Sequence, residues 1–268
     1  MSDITILLLY LLAAVAFTLQ RLPAHAARSS PLLSAAVIFS VAALLFHGQS
    51  LAGAVIGEAG LYISIAATLS LIGLQLGLIG VLGAVEASLR GMSAGLLALA
   101  AMVWAISGYA PDESTGSPMT WQMQAHILIS VFAYGLLTVG AIVAINALLQ
   151  DRRLRYGQLS AANHLFAPLE TTERLLFVIT ASGFAALLLA VVSGFMFVDD
   201  LFAQHLVHKT ALSLLALTLF GLLVAGRQFA GWRGKRAVYL YLWGFFILCL
   251  AYFGSRYILE QVLGRSWG

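Results

Sequence analysis

The chain has 268 residues, of which 61% are apolar and only 9% carry a charge, and its mean hydropathy is +0.96. A water-soluble domain carries about 25% charged residues, so this composition excludes that class and indicates an integral membrane protein. The formal net charge of +3 is explained better by where the charges lie along the chain than by a nucleic-acid partner.

Apolar runs that can cross a bilayer recur along the chain. A hydrocarbon core of about 30 Å takes roughly 20 apolar residues as helix, and the alternating pattern of a membrane β-barrel is missing from the sequence. We therefore predict an all-α bundle of about eight transmembrane helices that forms one transmembrane domain over residues 1–268. The predicted spans are residues 4–20, 31–48, 60–84, 91–109, 123–149, 174–198, 206–226 and 237–258.

The first span begins with the sequence MSDITILLLYLLAAVAFTLQRL. Asp3 precedes the apolar run and Arg21 follows it, which is the reverse of the charge order in a secretory signal peptide. We therefore expect this segment to remain as a membrane span.

The Lys and Arg residues fall mainly on one side of the predicted membrane. Four alternate connections hold 11 of the 14, and the other side holds only Lys209, Arg256 and Arg265. By the positive-inside rule, the first side is cytoplasmic and both termini lie outside, in the periplasm or its equivalent. The pattern predicts a multi-pass protein of the inner (cytoplasmic) membrane.

Few motifs in the sequence point to chemistry. Walker, GxGxxG and GxSxG motifs are missing from it, so ATP or nucleotide chemistry has no support. The one cysteine, Cys249, excludes an internal disulfide and a cysteine-based metal site. Small residues such as Ser193 and Gly194 suit close helix packing.

The six histidines divide unevenly between the two sides. His25 and His164 fall among arginines in cytoplasmic connections, and we interpret both as solvated. Imidazoles from different helices can hold haem iron in an apolar slot, so histidines at one depth make a candidate site. The four histidines at the outer ends of the second, fifth and seventh spans are His47, His126, His205 and His208.

Neighbouring residues would complete such a haem site. Trp121 and other aromatic side chains would supply flat apolar walls, and Lys209 and Arg256 would neutralise the haem propionates. Two other interpretations stay open. A histidine at a helix end is also typical of an interfacial hydrogen-bonding residue, and His205 with His208 would share a helical face that binds Zn²⁺.

Three stretches resemble one known family. They are TWQMQAHILISVFAYGLL from Thr120, LETTERLLFVITASGFAALLLAVVSGFMF from Leu169, and HKTALSLLALTLFGLLVAGRQFAGWRGKRAVYLYLWGFFILCLAYFGSR from His208. Through them the chain resembles the cytochrome c assembly family of CcsA/CcmC-type haem-handling membrane proteins, and most of all its short YpjD-like branch. The resemblance covers residues 121–256, which we interpret as the assembly-like core.

The resemblance implies a non-covalently bound b-type haem near the outer face of a bacterial inner membrane. In the haem-delivering members, an outer histidine follows a tryptophan at the start of the equivalent helix, and His126 after Trp121 occupies that place. The resemblance implies His47 and His126 as the axial ligands of the iron, with His205 or His208 as further candidates.

One family feature is missing from this sequence. The haem-delivering members carry a tryptophan-rich WWD loop before the penultimate helix, whereas residues 197–213 here read FVDDLFAQHLVHKTALS, without a tryptophan. A complete haem lyase therefore has no support, and any catalysis would reside in a partner, such as another inner-membrane or cytochrome assembly protein.

Two classes of function follow from the sequence. The first is a haem-binding membrane protein of cytochrome c biogenesis or haem handling. The second is a haem-free accessory subunit or transporter component that keeps only the fold. Metal-ion transport through the outer histidines is disfavoured, because the predicted spans hold almost no Asp or Glu at mid-helix.

Overall fold

The computed structural model describes residues 3–57, 60–61, 64–109, 120–156, 168–197 and 207–251. It is helical apart from one two-residue antiparallel pairing, which confirms the prediction of a polytopic helical membrane protein. The chain divides into two compact units. Unit 1 is Met1–Met119 with Gln150–Thr171, and unit 2 is Thr120–Leu149 with Thr172–Gly268.

Unit 1 contains four long helices. Helix α1 ends shortly before Pro23, which opens a 3-10 turn, because proline has no N–H to continue an α-helix and restricts the residue before it. Helix α3 begins after Ser64, whose hydroxyl accepts a hydrogen bond from the Ala67 N–H at 3.1 Å. The elements are α1 Asp3–Arg21, a 3-10 turn Pro23–Arg28, α2 Ser29–Val55, β1 Ile56–Gly57, β2 Gly60–Leu61, α3 Ile65–Gly83, a 3-10 turn Ala87–Leu89 and α4 Arg90–Ser107.

The four helices of unit 1 pack as a ring. Helix α1 lies against α2 and α4, and α3 lies against the same two helices. Glycines permit the close approach: a Cβ at Gly77 on α3 would lie 2.8 Å from the Tyr10 hydroxyl on α1. Tyr10, Phe17 and Leu97 are fully buried in the core of this ring.

Unit 2 contains most of two helices and the whole of two others. The helices are α5 Trp121–Arg155, α6 Leu169–Phe197, α7 Val207–Ala230 and α8 Gly234–Cys249. Unit 2 includes α5 up to Leu149 and α6 from Thr172. Tyr241 on α8 is fully buried and donates a hydrogen bond to the Leu137 carbonyl of α5 at 2.8 Å. A Cβ at Gly183 on α6 would lie 2.6 Å from Leu137, so glycine lets α6 approach α5 closely without displacing this side chain. These contacts join α8 and α6 to the middle of α5.

Residues 231–234, which read GWRG, form the turn between α7 and α8. Gly231 and Gly234 both adopt left-handed backbone conformations, with φ of 63° and 62°, which glycine reaches without steric cost. The backbone N–H of Trp232 donates a hydrogen bond to the Gly226 carbonyl at 3.1 Å, and the indole ring of Trp232 packs over Gly226. The turn thus folds the tryptophan back onto the end of α7.

The helices match the predicted spans in number and order. Helix α4, Arg90–Ser107, confirms the predicted fourth span. Among the described residues, seven helices are long and apolar enough to cross a membrane, whereas α8 is described over 16 residues and its predicted continuation to residue 258 lies outside them. Helix α5 runs past the predicted residue 149 to Arg155, where Arg155 pairs with Asp151 at 3.1 Å.

Candidate functional site

His126 lies near the beginning of α5 in unit 2 and faces α6. Its Nδ1 atom is 2.9 Å from the Ser193 hydroxyl. The same hydroxyl is 2.9 Å from the Ala190 carbonyl, to which it donates a hydrogen bond. Ser193 is buried and the imidazole is half-buried, so this polar chain is largely screened from solvent.

Gly194 makes room for the imidazole. A Cβ built at this position would lie 3.1 Å from His126 Cε1, which is closer than an ordinary van der Waals contact. The sequence assigned Ser193 and Gly194 to helix packing alone. In the structure the Ser193 hydroxyl is also hydrogen-bonded to His126, a predicted haem ligand, and Gly194 leaves space for the imidazole ring.

The structure describes three of the other predicted site residues of unit 2, namely Lys209, Trp121 and His208. Lys209 lies on the first turn of α7, in the same unit as His126. Trp121 is 69% exposed, and its ring centroid is 6.2 Å from that of Phe197. His208 is exposed. His205 and Arg256 lie outside the described residues.

His47 lies in the core of unit 1, where both of its ring nitrogens are hydrogen-bonded. Nδ1 is 3.0 Å from the Tyr10 hydroxyl on α1, and Nε2 is 2.9 Å from the Ser70 hydroxyl on α3. The side chain is fully buried. An iron atom at either nitrogen would have to replace one of these two hydrogen bonds.

Trp104 of α4 packs against the imidazole ring of His47. The two ring centroids are 4.5 Å apart and the rings meet edge to face. The indole N–H donates to the Asp3 carbonyl at the beginning of α1, at 3.0 Å. His47 therefore contacts side chains from all three other helices of unit 1.

The His47 partners were not identified from the sequence. Tyr10 and Ser70 are 37 and 23 residues from His47 and carry no motif. The sequence does contain a feature that points to Ser70. Gly73 and Gly77 follow Ser70 on one side of α3, and a Cβ at Gly73 would lie 3.5 Å from His47 Cε1. Small residues beside a polar one can mark a helix face that receives a large polar side chain.

The described ranges between residues 3 and 251 hold no group of three or more His, Cys, Asp or Glu side chains that could bind a metal ion. The predicted zinc-binding pair consists of His205 and His208, and His205 lies outside the described residues. A haem iron differs from such a site, because its porphyrin supplies four ligands and the protein adds only one or two.

Comparisons with known proteins identify relatives over most of the chain. The family described as Cytochrome C assembly protein matches residues 3–263, well beyond residues 121–256. The chain is 32% identical over 233 residues to the Inner membrane protein YpjD of Escherichia coli strain K12, which covers 85% of this chain and 87% of that protein. It is 29% identical over 157 residues to an uncharacterized 28.8 kDa protein of Azospirillum brasilense, 58% of each chain. No solved structure matches significantly.

Proposed function

Because the chain belongs to the cytochrome c assembly protein family, we propose that it binds b-type haem non-covalently and handles it for cytochrome c biogenesis. It is a multi-pass inner-membrane protein, with seven apolar helices among the described residues and a relative named as an inner membrane protein. Family membership supports a haem-related role in biogenesis. The haem site itself is proposed from the surroundings of His126.

The observation that carries the proposal is the hydrogen bond between His126 Nδ1 and Ser193 Oγ, at 2.9 Å. A histidine that binds a metal commonly donates its other ring N–H to a second group, which orients the ring and raises its basicity. With Nδ1 engaged by Ser193, Nε2 is the nitrogen that would carry the lone pair for iron. Bound haem supplies an iron whose axial positions accept such an imidazole.

The residues around His126 suit an anionic, flat ligand. Gly194 leaves the imidazole uncrowded on the α6 side. Lys209, on the first turn of α7, would supply a positive charge to balance a haem propionate. Trp121 exposes most of its indole at the same end of α5 and would offer an aromatic surface.

The two predicted axial histidines have unequal support. Among the residues that the structure describes, His126 has a hydrogen bond at one ring nitrogen, to Ser193, whereas His47 has hydrogen bonds at both. For His47 to serve as the second axial ligand, it must release Tyr10 or Ser70. We therefore propose His126 as the principal ligand and assign His47 first to the core of unit 1.

Haem lyase activity is not part of the proposal. The stretch of residues 197–213 that corresponds to the family's WWD loop contains no tryptophan. We propose that haem is held by this chain and that a partner, another inner-membrane or cytochrome assembly protein, carries out any attachment chemistry.

Haem titration of the purified protein tests the proposal. Wild-type protein in detergent is expected to give a saturable Soret band that is red-shifted from free haemin. His126→Ala should lose or shift this band, because removal of an axial imidazole changes the ligand field of the iron. His25→Ala, which removes a histidine on the predicted opposite side, is the matched control and should behave like wild type.

Failure of the wild-type protein to bind haem above the level of empty detergent micelles would overturn the proposal. The alternative function, a haem-free accessory subunit or transporter component, would then be favoured. The two hydrogen bonds of His47 and the missing tryptophans are the observations that agree with this alternative. Co-purification with another inner-membrane protein that survives His126→Ala would support it.

A further inference from the structure

We propose that Ser193 is a positioning residue, which holds His126 in the Nδ1–H tautomer and so presents Nε2 to a metal. This inference deepens the proposed haem binding and rests on it. Ser193 itself would not touch the iron. It would act through the imidazole by deciding which of the two ring nitrogens carries the proton.

The Ser193 hydroxyl lies between two hydrogen-bonding partners. This oxygen lies 2.9 Å from His126 Nδ1 and also 2.9 Å from the Ala190 carbonyl oxygen. A carbonyl oxygen can only accept a hydrogen bond, whereas a neutral imidazole nitrogen can donate or accept, depending on the tautomer. The hydroxyl has one proton to give.

Only one arrangement satisfies both contacts. The hydroxyl donates its proton to the Ala190 carbonyl, and its oxygen then accepts a hydrogen bond from a protonated Nδ1. In the opposite tautomer the hydroxyl would have to donate to Nδ1, and its hydrogen bond to Ala190 would be lost. Because Ser193 is buried, water would not readily replace that bond.

The backbone reinforces this geometry. Ala190, Ser193 and Gly194 lie on adjacent turns of α6, so the carbonyl, the hydroxyl and the open space above Gly194 face His126 together. A side chain at Gly194 would crowd the ring, because its Cβ would lie 3.1 Å from His126 Cε1, so glycine permits the imidazole to lie against Ser193. The tautomer and the ring orientation would thus be set by one short segment.

Three variants separate a positioning role from a general packing role. Ser193→Ala removes the hydroxyl, and Ser193→Thr keeps it. Ser130→Ala is the matched control, because the Ser130 hydroxyl donates to the backbone carbonyl of His126 at 2.8 Å and does not contact the ring nitrogen. Loss of a partner that orients a metal-binding histidine lowers metal affinity by about 10- to 100-fold.

Two measurements are made on each variant. The first is the tautomer of His126 in haem-free protein labelled with ¹⁵N-histidine, from long-range ¹⁵N–¹H correlations assigned by the absence of signals in His126→Ala. The second is haem affinity from the absorption titration. Wild type, Ser193→Thr and Ser130→Ala are expected to show protonated Nδ1 and similar affinity. Ser193→Ala is expected to show protonated Nε2 or exchange between both forms, and an affinity about 10- to 100-fold lower.

The outcomes separate this inference from the proposed function. An unchanged tautomer and affinity in Ser193→Ala would overturn the role of Ser193, even if wild type binds haem. A wild-type protein that binds no haem would overturn the proposed function, whereas the ¹⁵N spectra would still decide which tautomer Ser193 holds. If Ser193→Thr does not fold, the comparison of Ser193→Ala with Ser130→Ala decides the question alone.

Discussion

The hydroxyl of Tyr10 lies 3.0 Å from Nδ1 of His47 in the buried core of unit 1. With Ser70 at the other ring nitrogen, the contact makes a chain of three polar side chains from α1, α2 and α3. Buried polar groups that satisfy one another can specify how helices dock, and each becomes costly when its partner is removed.

Tyr10→Phe is expected to destabilise the protein, because it leaves His47 Nδ1 buried without its partner. The cost of an unsatisfied buried group is about 1–3 kcal/mol. Tyr109→Phe, which removes the hydroxyl of a residue that is 92% exposed, is the matched control and should have little effect. Thermal unfolding in detergent measures both, and equal midpoints for the two variants would argue against a structural role for the Tyr10 hydroxyl.

His47→Ala distinguishes a structural histidine from an axial ligand. We expect a loss of about 2–5 kcal/mol in stability, since the change leaves a cavity and two hydroxyls without their partner. We expect the haem spectrum of the folded protein to persist. If the folded variant instead loses its low-spin haem bands while Tyr10→Phe keeps them, His47 is the second axial ligand and releases its hydrogen bonds on binding.

Two glycine-to-alanine substitutions should have different effects on the stability of the protein. Gly77→Ala would place a Cβ 2.8 Å from the Tyr10 hydroxyl and 3.1 Å from Leu44, so overpacking should cost about 1–3 kcal/mol. Gly95→Ala meets no atom within 4 Å among the described residues, and alanine favours the helix by about 1 kcal/mol. Unfolding midpoints should therefore fall in the first variant and rise or stay in the second. The reverse order of midpoints would contradict the close approach of the Tyr10 side chain to Gly77 of α3.

The predicted orientation of the chain is tested by cysteine labelling. In a Cys249→Ala background, Tyr109→Cys and Tyr156→Cys place a thiol at exposed positions on opposite predicted sides. A membrane-impermeant maleimide added to spheroplasts should label position 109, and position 156 should react only after the membrane is opened. Labelling of position 156 alone in intact spheroplasts would invert the topology that the positive-inside rule predicts.

The helices could be predicted because membrane insertion acts on local composition. Long apolar runs and the distribution of Lys and Arg identified eight helices in order, including the short fourth one, as the structure confirms. The ends were less accurate. The structure extends α2 to Val55, where Leu51 and Val55 pack against Ala67 of α3. It extends α5 to Arg155, which forms an ion pair with Asp151.

The histidine partners could not be predicted, because they depend on how one helix is rotated against the next. His47 was predicted as a haem ligand, and the structure adds hydrogen bonds from its ring to the hydroxyls of Tyr10 and Ser70 on other helices. Ser193 was recognised as a small residue but not as the partner of His126. Hydropathy and charge determine which residues enter the membrane, whereas contacts between helices require the packed structure.

The most direct test of the central claim is the reduced-minus-oxidised absorption spectrum of the detergent-solubilised, haem-loaded protein, with His126→Ala measured beside wild type. The account predicts b-type Soret and α bands in wild type, and their loss or displacement in the variant, since His126 would no longer ligate the iron. Identical spectra for wild type and His126→Ala, or a wild-type spectrum without haem bands, would contradict it.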